Sequence, residues 1–72
     1  MTTDTLITLT LNGAAREFPS GTTVAQMLET LGMPPELVAV EINRELVRKR
    51  DFASRTIGAG DQVEIVEFVG GG

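Results

Sequence analysis

The first residues of the chain alternate between apolar and polar side chains. In TLITLTL, residues 5–11, the apolar residues at alternate positions share one side of an extended chain, with threonines on the other side. Asn12-Gly13 follows, and this dipeptide favours a two-residue hairpin turn because both residues tolerate positive φ. The return stretch AAREF, 14–18, stops at Pro19, which has no backbone N–H to donate. The pattern predicts an antiparallel β-hairpin.

A helical repeat comes next. In VAQMLETL, residues 24–31, apolar side chains recur at positions i, i+3, i+4 and i+7, which is one stripe of a helix. Thr23, with Gln26 three residues later, has the spacing of a capping box. Gly32 suits the left-handed position after a helix, and Pro34-Pro35 prevents its continuation. We predict one short helix that depends on packing against a sheet.

The second half of the chain returns to alternation. VAVEIN, 38–43, is a strand pattern, the turn NRE leads into a weak short strand in ELVRK, and QVEIVEF, 62–68, is the last strand. The stretch RDFASRTI between them is irregular, with Phe52 and Ile57 as anchors, and GAGD, 58–61, is a turn. The order predicts an α+β fold of the β-grasp (ubiquitin-like) type. This fold is a mixed sheet of about four to five strands with one helix across one face, and its last strand is central and parallel to the first.

The last strand carries apolar residues on both of its faces. Val66 and Phe68 point away from the side that the helix covers, although a sheet with one helix needs only one apolar face. One interpretation is a small satellite cluster with Leu46 or Leu6, since scattered exposed apolar residues are common. The other is a docking patch for a partner. We favour the docking patch, because phenylalanine is costly to expose.

Composition limits the chemistry of the chain. Its 72 residues favour one domain, 1–68, followed by a glycine tail, 69–72. Cysteine and histidine are absent, so disulfides, thiol nucleophiles, the usual general base and common metal ligands are absent too. No apolar run approaches the ~20 residues that span a bilayer, and the N-terminal stretch lacks the basic start of a signal peptide. We expect a small cytoplasmic protein that is not an enzyme, binds no metal and has no membrane partner.

Charge is unevenly distributed along the chain. The net charge of −4, together with the absence of tyrosine and tryptophan, disfavours nucleic acid as a partner. Glu64 and Glu67, the acids nearest the tail, could steer a basic partner. A solvated surface is the favoured interpretation of the basic residues that cluster between 44 and 55, and phosphate or RNA binding is the weaker one. These residues are Arg44, Arg48, Lys49, Arg50 and Arg55.

The chain finishes with Val69, Gly70, Gly71 and Gly72. Four extended residues at ~3.3 Å each reach roughly 13 Å beyond the sheet, and residues without Cβ atoms can pass through a narrow slot. The α-carboxylate of Gly72 is ionised at neutral pH and is a poor electrophile. Adenylation by ATP would turn one of its oxygens into a good leaving group for attack by a sulfur or amine nucleophile. We expect this terminus to react in the active site of another protein.

The stretches LNG, GTTVAQMLETLG, VAVEIN and GDQVEIVEFVGGG together resemble the bacterial sulfur-carrier proteins of thiamine biosynthesis, the ThiS family. The similarity spans nearly the whole chain, and the combination of VAVEIN with the last stretch is its most specific part. Terminal Gly-Gly alone is shared with the molybdopterin, tRNA-thiolation and ubiquitin relatives. One departure is RKRDFASRTIGAG, where Ile57 is shifted and Ala59 intervenes relative to the family.

The resemblance implies a carrier that serves as a co-substrate of other enzymes. An E1-like enzyme would use ATP to adenylate the Gly72 carboxylate, and the carrier itself would hold no cofactor. A sulfur donor such as a cysteine desulfurase would convert the adenylate to a thiocarboxylate, from which thiazole synthase takes sulfur for the thiazole ring. Gly71, Gly70 and Val69 would form the tail, and Val66 and Phe68 would face the activating enzyme. Alternatives are a carrier for molybdopterin synthesis or tRNA thiolation, and a non-covalent β-grasp module.

Overall fold

The computed structural model of the protein describes residues 5–68. A five-stranded sheet and one α-helix account for most of them, and two single-turn 3₁₀-helices at Pro35–Leu37 and Lys49–Asp51 complete the fold. The main elements are β1 (Leu6–Leu11), β2 (Ala14–Pro19), α1 (Val24–Leu31), β3 (Val38–Ile42), β4 (Glu45–Val47) and β5 (Gln62–Glu67). The α+β prediction is confirmed.

The sheet is mixed, with strand order β2-β1-β5-β3-β4. The parallel pair is β1 with β5, and each of the other neighbouring pairs is antiparallel. The last strand is therefore central and parallel to the first, as the sequence predicted. The connection from β2 through α1 returns the chain to the far side of β5, so that β3 can pair with β5 from that side.

The helix begins and ends where the sequence predicted. The Thr23 hydroxyl accepts a hydrogen bond from the Gln26 N–H at 3.1 Å, and the Gln26 side chain accepts one from the Thr23 N–H at 3.0 Å. Gly32 ends the helix in the left-handed conformation, with φ of 72°. The buried face of the helix, with Met27 and Leu28 fully enclosed, covers one side of the sheet.

The core lies between α1 and the sheet face that it covers. Its members are the inward residues of every strand, the inward stripe of the helix and two residues from the irregular segment after β4. They are Leu9, Leu11, Phe18, Val24, Met27, Leu28, Val38, Val40, Ile42, Val47, Phe52, Ile57, Val63 and Ile65.

The irregular segment after β4 holds the start of the helix. Phe52 and Ile57 are buried, which confirms them as anchors. The carbonyl oxygens of Phe52 and Arg55 accept hydrogen bonds from the N–H groups of Ala25 and Val24, at 2.9 and 2.8 Å. These N–H groups have no partner inside the helix, because they belong to its first turn. The segment thus caps the first turn of the helix, a role that its composition alone did not predict.

Neither 3₁₀-helix was predicted from the sequence. The first begins at Pro35, which we expected only to stop the preceding helix. Proline is favoured at a first helical position because its fixed φ suits it and its missing N–H would have had no partner there. Within residues 5–68, no helix combines the length and the apolar character needed to cross a membrane.

Candidate functional site

The end of β5 separates core residues from exposed ones. Val63 and Ile65 are 1% and 6% exposed, whereas Val66 and Phe68 are 60% and 51% exposed. The predicted division of this strand between its two faces is confirmed. Phe68 is also the last residue that the structure describes, so the exposed pair lies where the chain leaves the sheet.

Neighbouring apolar residues extend this exposed surface. The Phe68 N–H donates to the Leu37 carbonyl at 2.7 Å, which places Leu37 beside Phe68. Ala39 is the register partner of Val66. We call Leu37, Ala39, Val66 and Phe68 the exit patch. Leu37 is 43% exposed and was not singled out from the sequence, because it lies in the 3₁₀-helix that precedes β3 rather than in the alternating strand.

The satellite cluster is not supported by the structure. Leu6 is paired with Pro19 at the far end of β1, and Leu46 is paired with Glu41, so that β3 separates it from β5. Both leucines are more than half exposed, as are Val66 and Phe68. These side chains therefore do not bury one another.

The exit half of β5, which we define as residues 64–68, pairs with a neighbouring strand on one side only. On the β3 side, the register continues from Ile42↔Val63 to Val38↔Glu67. On the β1 side, it stops at Leu11↔Val63, because the chain turns away at Asn12. The Asn12 side chain supplies the next contact, since its Oδ1 accepts from the Ile65 N–H at 2.8 Å and its Nδ2 donates to the Ile65 carbonyl at 3.2 Å.

A second asparagine binds the start of the same strand. The Asn43 Oδ1 accepts from the Gln62 N–H at 2.9 Å, and its Nδ2 donates to the Asp61 carboxylate at 3.0 Å. Asn12 and Asn43 each lie in a hairpin turn at positive φ, 48° and 53° respectively. The sequence predicted both turns but not their hydrogen bonds to β5.

Acidic side chains border the exit patch on the open face. Glu41 and Glu64 are directly opposite each other on β3 and β5. Glu64 and Glu67 are exposed, as the steering hypothesis requires. The basic residues between 44 and 55 are also exposed, which agrees with the solvated surface that we favoured. Among them, Lys49 donates to the Glu36 carbonyl at 3.0 Å.

The predicted reactive tail lies outside the described residues. This applies to Val69, Gly70, Gly71 and Gly72, and therefore to the terminal carboxylate. The candidate site that the structure describes is the base of that tail, formed by the exit half of β5, its contacts with β3 and with Asn12, and the exit patch.

The helix laid across a mixed sheet with a central last strand defines a ubiquitin-like β-grasp domain. Its candidate site is an exposed apolar patch at the point where that strand leaves the sheet. A model of the ThiS family matches residues 9–72. The chain therefore belongs to the ThiS family.

Solved structures support the same assignment. A crystal structure of the thiamine biosynthesis protein ThiS from Geobacter metallireducens has a TM-score of 0.74 and 34% identity, covering 92% of this chain and 100% of that one. A solution structure of a thiamine biosynthesis protein from the same organism gives a TM-score of 0.74 and 33% identity, covering 92% and 88%.

Curated relatives include longer proteins. A thiazole synthase of Paramagnetospirillum magneticum is 44% identical over 64 residues, which are 89% of this chain but 20% of that protein. A thiazole synthase of Magnetococcus marinus is 40% identical over 62 residues, 86% of this chain and 19% of that protein. The chain thus spans about one fifth of the length of these two relatives. The uncharacterized protein ycf40 of Porphyra purpurea is 35% identical over 66 residues, with 92% and 93% coverage.

Proposed function

We propose that the chain is a sulfur carrier of thiamine biosynthesis that carries sulfur on the Gly72 carboxylate. The observation that supports this most is the family match, which continues through the glycine tail to residue 72. The geometry at the base of the tail is compatible with that role. A central strand, anchored in the core through Val63 and Ile65, leads directly into the tail.

The chemistry proceeds in three steps, with the partner enzymes supplying the other reactants. The Gly72 carboxylate attacks the α-phosphorus of ATP, and pyrophosphate leaves, which gives an acyl-adenylate. The terminal sulfur of a persulfide, formed by a sulfur donor such as a cysteine desulfurase, then attacks the carbonyl carbon and displaces AMP. A thiol cleaves the resulting S–S bond and releases the thiocarboxylate. Each reacting group apart from the carboxylate is supplied by other molecules, so the carrier is a co-substrate rather than an enzyme.

The exit patch is the proposed docking surface for the E1-like activating enzyme. Phe68 and Val66 adjoin the tail, so a partner that covers them also receives Val69, Gly70 and Gly71. Removal of apolar surface from water is favourable by about 25 cal/mol per Å², from which the entropic cost of association is subtracted. Glycines let the backbone pass through a channel that would exclude side chains.

Thiazole synthase is the proposed recipient of the sulfur. Two relatives named thiazole synthase contain a region similar to most of this chain. This similarity favours the thiazole ring over molybdopterin or tRNA as the destination. As an ATP-dependent step of biosynthesis, the reaction is expected to take place in the cytoplasm.

An intact-mass assay tests the proposal. The chain is incubated with an E1-like enzyme, ATP, a cysteine desulfurase and cysteine, and the products are measured by mass spectrometry. We expect a mass increase equal to the exchange of one oxygen for sulfur, localised to Gly72 by fragmentation. A matched chain with one residue appended after Gly72 should remain unchanged.

The recipient is tested with the thiocarboxylate product. Thiazole synthase should consume it and regenerate the carboxylate, whereas molybdopterin synthase should not. An unchanged mass in the first assay, or full function of the chain with the appended residue, would contradict the carrier proposal. Consumption by molybdopterin synthase alone would contradict only the thiazole assignment.

A further inference from the structure

We propose that Asn12 is a positioning residue for the reactive tail, because its carboxamide replaces the missing strand contact at Ile65. The inference rests on the proposed function, since it concerns how Gly72 reaches the activating enzyme. It adds to that proposal a residue in the turn between β1 and β2, 60 positions before Gly72 in the sequence.

The contact continues a parallel ladder that the backbone itself cannot continue. Thr10 and Leu11 are paired with Gln62 and Val63, and the Asn12 N–H donates to the Val63 carbonyl at 2.9 Å. At the next position, Ile65 would need one acceptor and one donor from β1. The Asn12 side chain provides both, at 2.8 and 3.2 Å, after the backbone has turned toward β2.

Asparagine fits this position for two separate reasons. Its backbone adopts φ of 48°, and asparagine tolerates the left-handed region better than most residues do. Its carboxamide also carries an acceptor and a donor side by side, which matches the N–H and C=O of one strand residue. Aspartate would keep the acceptor and lose the donor, and glycine would keep the backbone conformation and lose both.

The exit half of β5 needs this support because β3 holds it from one side only. The β3 register and the Phe68–Leu37 bond hold one edge. On the opposite edge, the hydrogen bonds between Asn12 and Ile65 are the last ones to β5 within residues 5–68. Without it, residues 64–68 would form the edge of the sheet and would twist more freely.

A small change of direction at Ile65 displaces the point from which the tail starts. Phe68, the last described residue, lies three residues beyond Ile65. Over those three residues, roughly 10 Å, a change of about 5° displaces Phe68 by about 1 Å, and the tail starts from that displaced point. A misplacement of about 1 Å at a reacting group can lower a rate by as much as ~100-fold. The activating enzyme would then have to select the correct orientation from many.

Asn43 offers a matched control within the same chain. It is also an asparagine in a hairpin turn at positive φ, and its carboxamide also bonds to the backbone of β5. However, it holds Gln62 at the start of the strand rather than Ile65 on the exit half. Loss of either carboxamide removes hydrogen bonds to β5, but only the loss at Asn12 releases the base of the tail.

The test compares Asn12→Gly, Asn12→Asp and Asn43→Gly. Hydrogen exchange of the Ile65 amide is measured by NMR, and kcat/KM for adenylation is measured by pyrophosphate release at a temperature where all variants are folded. We expect Asn12→Gly to accelerate exchange at Ile65 and to lower kcat/KM by about tenfold or more. Asn12→Asp, which keeps the acceptor, should restore part of both. Asn43→Gly should leave both at the wild-type level.

Two results would overturn the inference. One is wild-type kcat/KM in Asn12→Gly despite an unprotected Ile65 amide, which would make the contact purely structural. The other is an equal loss of kcat/KM in Asn43→Gly, which would make stability the cause. A wild-type chain that the enzyme does not adenylate would instead remove the proposed function, while exchange at Ile65 would still report whether the contact exists.

Discussion

The apolar residues on the two faces of the sheet differ in their exposure to solvent. On the face under α1, Val38, Val40 and Ile42 are fully buried. On the open face, Val66 and Phe68 come from the strand next to β3 and are each at least half exposed. The same strands thus build a core on one side and leave apolar surface uncovered on the other.

The difference shows which apolar residues the fold requires. A chain of 72 residues has an expected stability of only roughly 4–10 kcal/mol, so the covered face has little to spare. The open-face residues add little to this, because their surfaces remain in water. Their cluster at the exit of β5 fits the proposed docking surface rather than a role in folding.

Replacement of Ile65 and of Val66 by alanine should give the largest difference in stability between the two faces. Ile65→Ala removes buried methyl groups and leaves a cavity beneath α1, so it should lower the free energy of unfolding by about 2–5 kcal/mol. The adjacent Val66→Ala should change it by less than ~0.5 kcal/mol. Urea denaturation followed by circular dichroism measures both. Similar losses in the two variants would show that the open face also stabilises the fold.

Removal of the helix cap should have the next largest effect. Thr23→Ala leaves the Gln26 N–H without its acceptor, so the free energy of unfolding should fall by about 1 kcal/mol. Because the helix covers one face only, hydrogen exchange should rise in α1 and leave the Phe68 amide unchanged. Thr30→Ala, at an exposed position of the same helix, is the control. Equal losses in the two threonine variants would argue against the capping interaction.

The sequence predicted the fold well because its patterns are local and consistent. The Asn12-Gly13 turn, the Thr23–Gln26 capping box and the alternation of β3 and β5 each depend on neighbouring residues. The structure has all of them. The segment after β4 was harder to predict, because its hydrogen bonds go to the start of a helix about thirty residues earlier.

The candidate site was only partly predictable for the same reason. Alternation was enough to place Val66 and Phe68 on the open face. Leu37 became part of the exit patch through a backbone hydrogen bond to Phe68, and Asn12 reached Ile65 across 53 residues. Such contacts depend on strand register and turn geometry, which single-sequence patterns do not specify. A clue for Asn12 is that a turn asparagine ends β1 while the parallel strand continues.

The paired acids on the open face should give a smaller effect of opposite sign. Glu41 and Glu64 are directly opposite each other, and like charges in that arrangement destabilise a sheet. Glu64→Gln should therefore raise the free energy of unfolding by about 0.2–1 kcal/mol. Urea denaturation at low and high salt measures this, and the gain should shrink as salt screens the charges. No gain at low salt would mean that the two carboxylates do not interact.

The smallest effect on stability should come from the residue with the largest expected effect on binding. Phe68→Ser removes an exposed ring from the exit patch, so the free energy of unfolding should change by less than ~0.5 kcal/mol. The Kd for the proposed E1-like partner should rise about tenfold, because aromatic side chains dominate interface energies. Leu6→Ser is the control, since Leu6 is 56% exposed but lies at the far end of β1.

Isothermal titration calorimetry and urea denaturation of the two serine variants separate the possible roles of Phe68. Weaker binding in Phe68→Ser alone, with both variants as stable as wild type, would assign the exit patch to the partner. A large loss of stability in Phe68→Ser would instead place the ring in the core, against its 51% exposure. Equal weakening in both variants would mean that the partner covers the open face broadly. The exposed phenylalanine would then be one contact among many rather than the centre of the docking surface.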